Sequence, residues 1–151
     1  MGAYKLIATF FGIGYMGKGG GTVAAFLTCA LLYLSVIYHF FSGIGLVVFT
    51  GIVMLLGTLA AAKVERIWGK DNKQIVIDEV LGMSVSLLFL PINAITLLVG
   101  FVLFRFFDIV KPLGIRKTEK LPRGWGVMAD DLTAGLYTNV LVQGLVYYLN
   151  Q

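Results

Sequence analysis

Charge is scarce in this sequence. Only 13% of its 151 residues are charged, while 58% are hydrophobic. Ordinary soluble domains carry about 25% charged residues, and a soluble fold of this length could not hide so much apolar surface. The class is therefore membrane, and the length suits a single domain over residues 1–151. Cysteine is nearly absent: Cys29 stands alone inside an apolar run, which excludes an intrachain disulfide and leaves the redox compartment unreported. Histidine is also single, His39, at a turn between apolar stretches. No basic start followed by an apolar run and a small-residue cleavage pattern is present, so no cleavable signal peptide is expected. The net charge of +4 points, in a membrane protein, to cytoplasmic loops and anionic headgroups rather than to nucleic acid.

Whole stretches lack charge altogether. Residues 19–62, 80–104 and everything after Asp131 are uncharged. The first gap is about twice the ~20 residues that cross a bilayer. It divides at His39-Phe40-Phe41-Ser42-Gly43-Ile44-Gly45, which predicts helices over about Gly21–Phe41 and Ile44–Ala62. The second gap reads either as one long helix or as two short ones broken at Pro91-Ile92-Asn93. A single span would put Arg105–Asp131 across the membrane from Lys63–Glu79. Two spans, Ile75–Pro91 and Asn93–Ile109, keep all twelve Lys/Arg on one face, as the positive-inside rule prefers. A last span covers Leu132–Leu149. The expectation is an all-α polytopic bundle of about five spans, with a cytoplasmic N-terminus and a short hairpin at Pro91–Asn93. Tyr4–Phe11 is read as a short interfacial helix.

That topology gathers the acids. Glu65, Asp71, Asp78, Glu79, Asp108, Asp130 and Asp131 fall in two blocks that share one face, and Glu119 lies in the last loop. Carboxylates at membrane depth need a partner or a role. Clustered oxygen ligands without His or Cys suit a hard cation such as Mg²⁺. Each acid has a plainer reading: Asp130 or Asp131 as a helix cap, Asp78 and Glu79 as solvated loop residues, Asp108 as the partner of Arg105 three residues earlier. Five together at three helix ends favour a site. Arg105, Asp108 and Lys111 form one stripe if their helix persists, and cations beside a metal spread the charge of a phosphate ester's transition state. Arg116, Lys117, Lys120 and Arg123 are better read as topology and lipid anchors.

Glycine is abundant between Gly12 and Gly21. Gly12, Gly14 and Gly17 fit GxGxxG, but the next 40 residues hold no acid for a dinucleotide ribose. Gly12, Gly17 and Lys18 begin a P-loop pattern, yet Gly19 stands where Ser or Thr would bind Mg²⁺. Both folds are rejected. Exposed amides followed by Thr22 at a helix start still favour an anion, against a plain flexible loop. The lone Cys29 and His39 also disfavour cysteine- and histidine-nucleophile phosphatase chemistry, and no DxDx[TV] run is present. Metal-activated water and attack by a clustered carboxylate remain.

Four stretches resemble the phosphatidylglycerophosphatase A family: Gly19-Gly20-Gly21-Thr22-Val23; Ile77-Asp78-Glu79-Val80-Leu81-Gly82-Met83; Phe104-Arg105-Phe106-Phe107-Asp108-Ile109-Val110-Lys111-Pro112; and Gly124-Trp125-Gly126-Val127-Met128-Ala129-Asp130-Asp131-Leu132-Thr133-Ala134-Gly135. The first departs from the family pattern, with Gly20 where Pro often precedes Gly-Thr. The resemblance implies a Mg²⁺-dependent phosphatase that hydrolyses phosphatidylglycerophosphate at the cytoplasmic face of a bacterial inner membrane. It implies Asp78, Glu79, Asp108, Asp130 and Asp131 as metal site, with Asp78, Glu79, Asp108 and Asp131 serving the reaction. Lys18, Thr22, Arg105 and Lys111 would hold the substrate. The phospholipid and the membrane are the expected partners, and oligomeric state is left open. From the residues alone, a small transporter or a non-enzymatic membrane subunit are the alternatives. Uncharged span centres argue against the transporter.

Overall fold

The computed structural model describes residues 2–40, 43–70 and 72–151, and these form helices with no strand among them. Seven helices run in order: α1 (Ala3–Ala8), α2 (Gly20–Ile37), α3 (Gly43–Trp68), α4 (Ile77–Ser86), α5 (Ala94–Val110), α6 (Ile115–Thr118) and α7 (Trp125–Leu149). A 3₁₀ turn, Ile13–Met16, precedes α2. Of these, α2 and α3 are long and apolar enough to cross a membrane. Large apolar side chains face outward on four helices, among them Leu31 on α2, Leu55 on α3, Leu98 on α5 and Leu141 on α7. A soluble monomer rarely exposes a contiguous apolar surface of that kind.

Several helix bounds differ from expectation. The first span ends at Ile37, short of Phe41, and Phe41 and Ser42 lie outside the described residues. Helix α3 runs past Ala62 to Trp68, carrying Lys63, Glu65 and Arg66 on a helix instead of a loop. The expected span Ile75–Pro91 contains a helix of only 10 residues, α4. At 1.5 Å per residue it is about 15 Å long, half a hydrocarbon core. It survives because it is central: Ile77 and every residue from Val80 to Ser86 are buried, against α2, α3, α5 and α7.

A helix that ends inside a protein leaves carbonyls without partners. Here α7 supplies them. The buried Asn139 amide donates to Ser86 O at 3.1 Å and Leu88 O at 2.9 Å, and its own oxygen accepts from Gln143 at 2.8 Å. The chain then turns through Pro91 to Asn93, which starts α5 with a capping box: Asn93 Oδ1 accepts from the amides of Ile95 and Thr96, and Thr96 Oγ1 accepts from the Asn93 amide. The break at the Pro91–Asn93 connection therefore exists, and it folds α5 back along α4. Asn139→Leu should leave both carbonyls unsatisfied and lower stability by about 1–3 kcal/mol, read as a drop in Tm of detergent-purified protein. An unchanged Tm would remove Asn139 as the cap.

The tightest helix crossing is made of glycine. A side chain on Gly82 of α4 would strike the Phe104 ring and come within 2.7 Å of Asp131 O, and one on Gly135 of α7 would come within 2.5 Å of Gly82 O. Close backbone approach through small residues is how helices pack where apolar burial gives no drive. Gly82 lies one turn after Asp78, and Gly135 one turn after Asp131. The crossing thus fixes how near the two carboxylates come.

Candidate functional site

The acids meet at one end of the bundle. Ligand oxygens of Asp78, Glu79 and Asp131 all lie within 4.8 Å of one another. They line a cavity of about 320 Å³ together with Asp108, Asp130, Lys111 and Glu119. Asp78 and Glu79 come from the first turn of α4, where the helix dipole favours negative charge. Asp130 and Asp131 come from α7, both buried. They do not cap that helix. The α7 amides begin at Gly124, whose N–H donates to Glu65 Oε2 at 2.7 Å. Glu65 therefore leaves the expected cluster and serves as the cap of α7 across 59 residues of sequence. Asp71 lies outside the described residues.

Asp108 and Arg105 form the predicted pair, Oδ2 to Nη1 at 2.6 Å, and the same guanidinium nitrogen stands 3.8 Å from Glu79 Oε1. Contacts between α4 and α5 at this end show that the two helices run antiparallel, as the break at Pro91 required. The guanidinium is not wholly spent on these contacts: Nη1 carries both ion pairs, while Arg105 Nε is buried with no acceptor. Three acceptors are similarly orphaned, Glu79 Oε2 and Asp130 Oδ1 in the cavity wall and Glu65 Oε1 outside it. Buried polar atoms without partners are rare in native folds. Orphaned carboxylate oxygens call for a cation, and an orphaned guanidinium calls for an anion.

Lys111 departs from the expected stripe. Helix α5 ends at Val110, and Lys111 takes the left-handed conformation with φ of 50° before Pro112. Its ammonium turns to Asp130 and Glu119, bonding both. Burial lowers its pKa, but hydrogen bonds and charge from Asp130 and Glu119 outweigh that, so it lies above its ordinary value. Lys111 is a permanent cation on the cavity wall. Glu119, placed by sequence in an outlying loop, belongs to the wall as well. Asn72 and Lys73 also line the cavity. Their only sequence signal was their position in the polar block ahead of Asp78.

The glycine loop enters the site through one residue. A Cβ on Gly21 would fall on the Glu79 carboxylate, so glycine there is what lets α2 pass beside it. Lys18 and Thr22 are exposed and do not line the acidic cavity. Arg116, Lys117, Lys120 and Arg123 are exposed too, away from the cavity lining.

The residues present fit a hard divalent cation. Three convergent carboxylates offer oxygen donors only, at a spread that one ion with metal–oxygen distances of about 2.0–2.6 Å can draw together. Without an ion, Asp78, Glu79 and Asp131 repel one another, with Arg105 as the close counter-charge. A cation cradle beside a guanidinium with free donors is the arrangement that phosphoryl transfer needs.

Comparison with known proteins agrees with that chemistry. A family model described as Phosphatidylglycerophosphatase A matches residues 6–146. A Haemophilus influenzae protein named "Phosphatidylglycerophosphatase A" is 35% identical, over 95% of this chain and 89% of its own. An Escherichia coli protein of the same name is 32% identical, over 97% of this chain and 83% of its own. A Bacteroides thetaiotaomicron protein named "Putative phosphatidylinositol-3-phosphatase" is 38% identical, over 91% of this chain and 89% of its own. No solved structure matches the chain.

Proposed function

We propose that this chain, which belongs to the phosphatidylglycerophosphatase A family and is a phosphatase, hydrolyses phosphatidylglycerophosphate to phosphatidylglycerol and phosphate, with Mg²⁺, at the cytoplasmic face of a bacterial inner membrane. The observation that carries this reading is the convergence of Asp78, Glu79 and Asp131 on one cavity, with orphaned acceptors on Glu79 and Asp130 in its wall and Arg105, its Nε unpartnered, paired with Glu79 and Asp108 behind it. Asp78, Glu79 and Asp131 would hold the ion, with Asp108 and Asp130 beside them. Bound there, Mg²⁺ would supply Lewis acidity toward the phosphate oxygens and an acidified water.

The chain's own groups account for the rest. Arg105, through the Nε that no protein acceptor satisfies, would bind a phosphate oxygen while Nη1 stays paired with Asp108. Lys111, held by Asp130 and Glu119, and Lys73 at the rim add positive charge where negative charge builds up. Asp108, oriented by Arg105, is placed to accept a proton from the attacking water. Lys18, in the loop before α2, and Thr22, next to Gly21 on α2, are proposed to meet the lipid headgroup at the opening.

The membrane reading extends the two apolar helices to about five crossings: α2, α3, α4 with its following turns, α5 and α7. This arrangement leaves every acid and Lys111 on the face of the N-terminus. Its check is labelling of Pro91→Cys, an exposed position at the α4–α5 connection, with a membrane-impermeant thiol reagent. Labelling from outside the cell is expected, and labelling only from the cytoplasmic side would separate the acidic blocks and sink the topology.

The deciding assay is phosphate release by the detergent-purified protein, with and without EDTA. Release from phosphatidylglycerophosphate that stops with EDTA and returns with Mg²⁺ is expected. The Bacteroides relative gives a specific reason for a second arm with phosphatidylinositol 3-phosphate, which carries the same phosphomonoester on a lipid headgroup. Faster release in that arm would reassign the substrate, and metal-independent release in either arm would overturn the cofactor.

A further inference from the structure

A second cavity lies outside the acidic site. It is an apolar groove of about 440 Å³ between α2 and α5, bounded by Phe26, Ala30 and Tyr33 on one side and Ala94, Leu98 and Phe101 on the other. Its volume is that of a ligand pocket, about 300–1,000 Å³. In a membrane any apolar face is covered by lipid, so the apolar lining alone identifies no occupant. Register does. The groove closes where the Phe26 and Phe101 rings meet edge to face, with centroids 6.4 Å apart. Four residues beyond Phe101, on the same face of α5, is Arg105 with its buried, unpartnered Nε donor. Four residues before Phe26, on the same face of α2, is Thr22, next to the Gly21 that abuts Glu79. One seam between two helices therefore carries an apolar groove and, a turn further on, a cation with a free donor.

We infer that the α2–α5 groove holds an acyl chain of the lipid substrate while its phosphate sits at Arg105, so that the lipid reaches the site sideways from the bilayer along this seam. The inference rests on the phosphatase reading above and adds the part of the protein that recognises the lipid as a lipid. A tail gains little by leaving other tails for an apolar groove, because lipid is as apolar as the helix surface. The groove's contribution is orientation: it aligns the headgroup with Arg105 before chemistry. Chains too short to fill it forgo that alignment and lose nothing when it is blocked.

The test fills the groove. Ala30→Trp and Leu98→Trp, with Leu141→Trp on the outer face of α7 as control, are assayed on long-chain phosphatidylglycerophosphate in vesicles and on its soluble dihexanoyl form. Expected is a fall of about tenfold or more in kcat/KM for the long-chain lipid in both groove variants, with the short-chain value and the control unchanged. Equal losses on both substrates, or no loss on either, would overturn the inference. A second measurement needs no turnover. Wild-type protein in nanodiscs is photocrosslinked with phosphatidic acid carrying a diazirine in its acyl chain, against phosphatidylcholine carrying the same chain. Several-fold preferential labelling of residues 26–33 and 94–101 by phosphatidic acid supports the groove, and equal labelling by the two lipids rejects it. If wild-type protein releases phosphate from neither chain length, the phosphatase reading fails, and the crosslinking still decides the groove.

Discussion

Asp131→Asn should lower phosphate release by about 10³-fold, the scale of losing a main source of electrostatic stabilisation at a reacting phosphate. The substitution is close to isosteric, and Asp131 is only 2% exposed in the middle of the α4–α7 crossing, so packing is kept while one charge is removed. Its carboxylate is one of three whose oxygens converge. Removing it takes away an ion ligand and also relieves repulsion against Asp78 and Glu79. The two consequences have opposite signs on stability. With EDTA present, the variant should melt at or above the wild type. With Mg²⁺ added, the wild-type Tm should rise, by about 2.7 kcal/mol of linkage at a hundredfold excess over Kd, and the variant's should rise far less. Inactivity with an intact Mg²⁺-dependent rise in Tm would place the ion elsewhere. Asp130→Asn should cost less, because Asp130 is already paired with Lys111.

Reading the sequence reached the helical class, the break at Pro91–Asn93 and the gathering of Asp78, Glu79, Asp108, Asp130 and Asp131, because charge-free runs and proline act locally and membrane topology leaves few arrangements. What it could not reach depended on contacts distant in sequence. Nothing near Ser86 announces that α4 stops after 10 residues. The reason sits on α7, in Asn139, whose place in an apolar helix was an unread signal. Glu65 looked like a sixth acid of the site and is a cap, which only its meeting with Gly124 reveals. Lys111 was expected on the Arg105–Asp108 stripe. That held only if the helix persisted; α5 ends at Val110, one residue past the expected Ile109, and the ammonium turns to Asp130 and Glu119. Glycines were legible as loop and contact residues but not as partners. That Gly82 and Gly135 face each other, and that Gly21 faces Glu79, follows from the three-dimensional crossing alone.

Arg105→Gln should lower kcat/KM by about 10²–10³-fold. The side chain has two jobs that the structure separates. It neutralises Glu79 and Asp108, at 3.8 and 2.6 Å from Nη1, and it presents an Nε donor that no protein acceptor satisfies. Arg105→Lys keeps the charge for the first job and loses the planar fork for the second. If charge balance among the acids is what matters, lysine should restore most of the activity and glutamine should not. If bidentate phosphate recognition matters, lysine should remain close to glutamine in kcat/KM while matching the wild type in Mg²⁺-dependent Tm. The orphaned Nε favours the second outcome, because a guanidinium placed only to balance charge would be expected to satisfy every buried N–H on the carboxylates beside it. Free guanidinium added to Arg105→Gln should then recover part of the rate, by supplying the missing fork to the cavity. Recovery by lysine alone, with no effect of guanidinium, would make Arg105 a counter-ion and move the phosphate contact to Lys111 and Lys73, the cations that line the cavity.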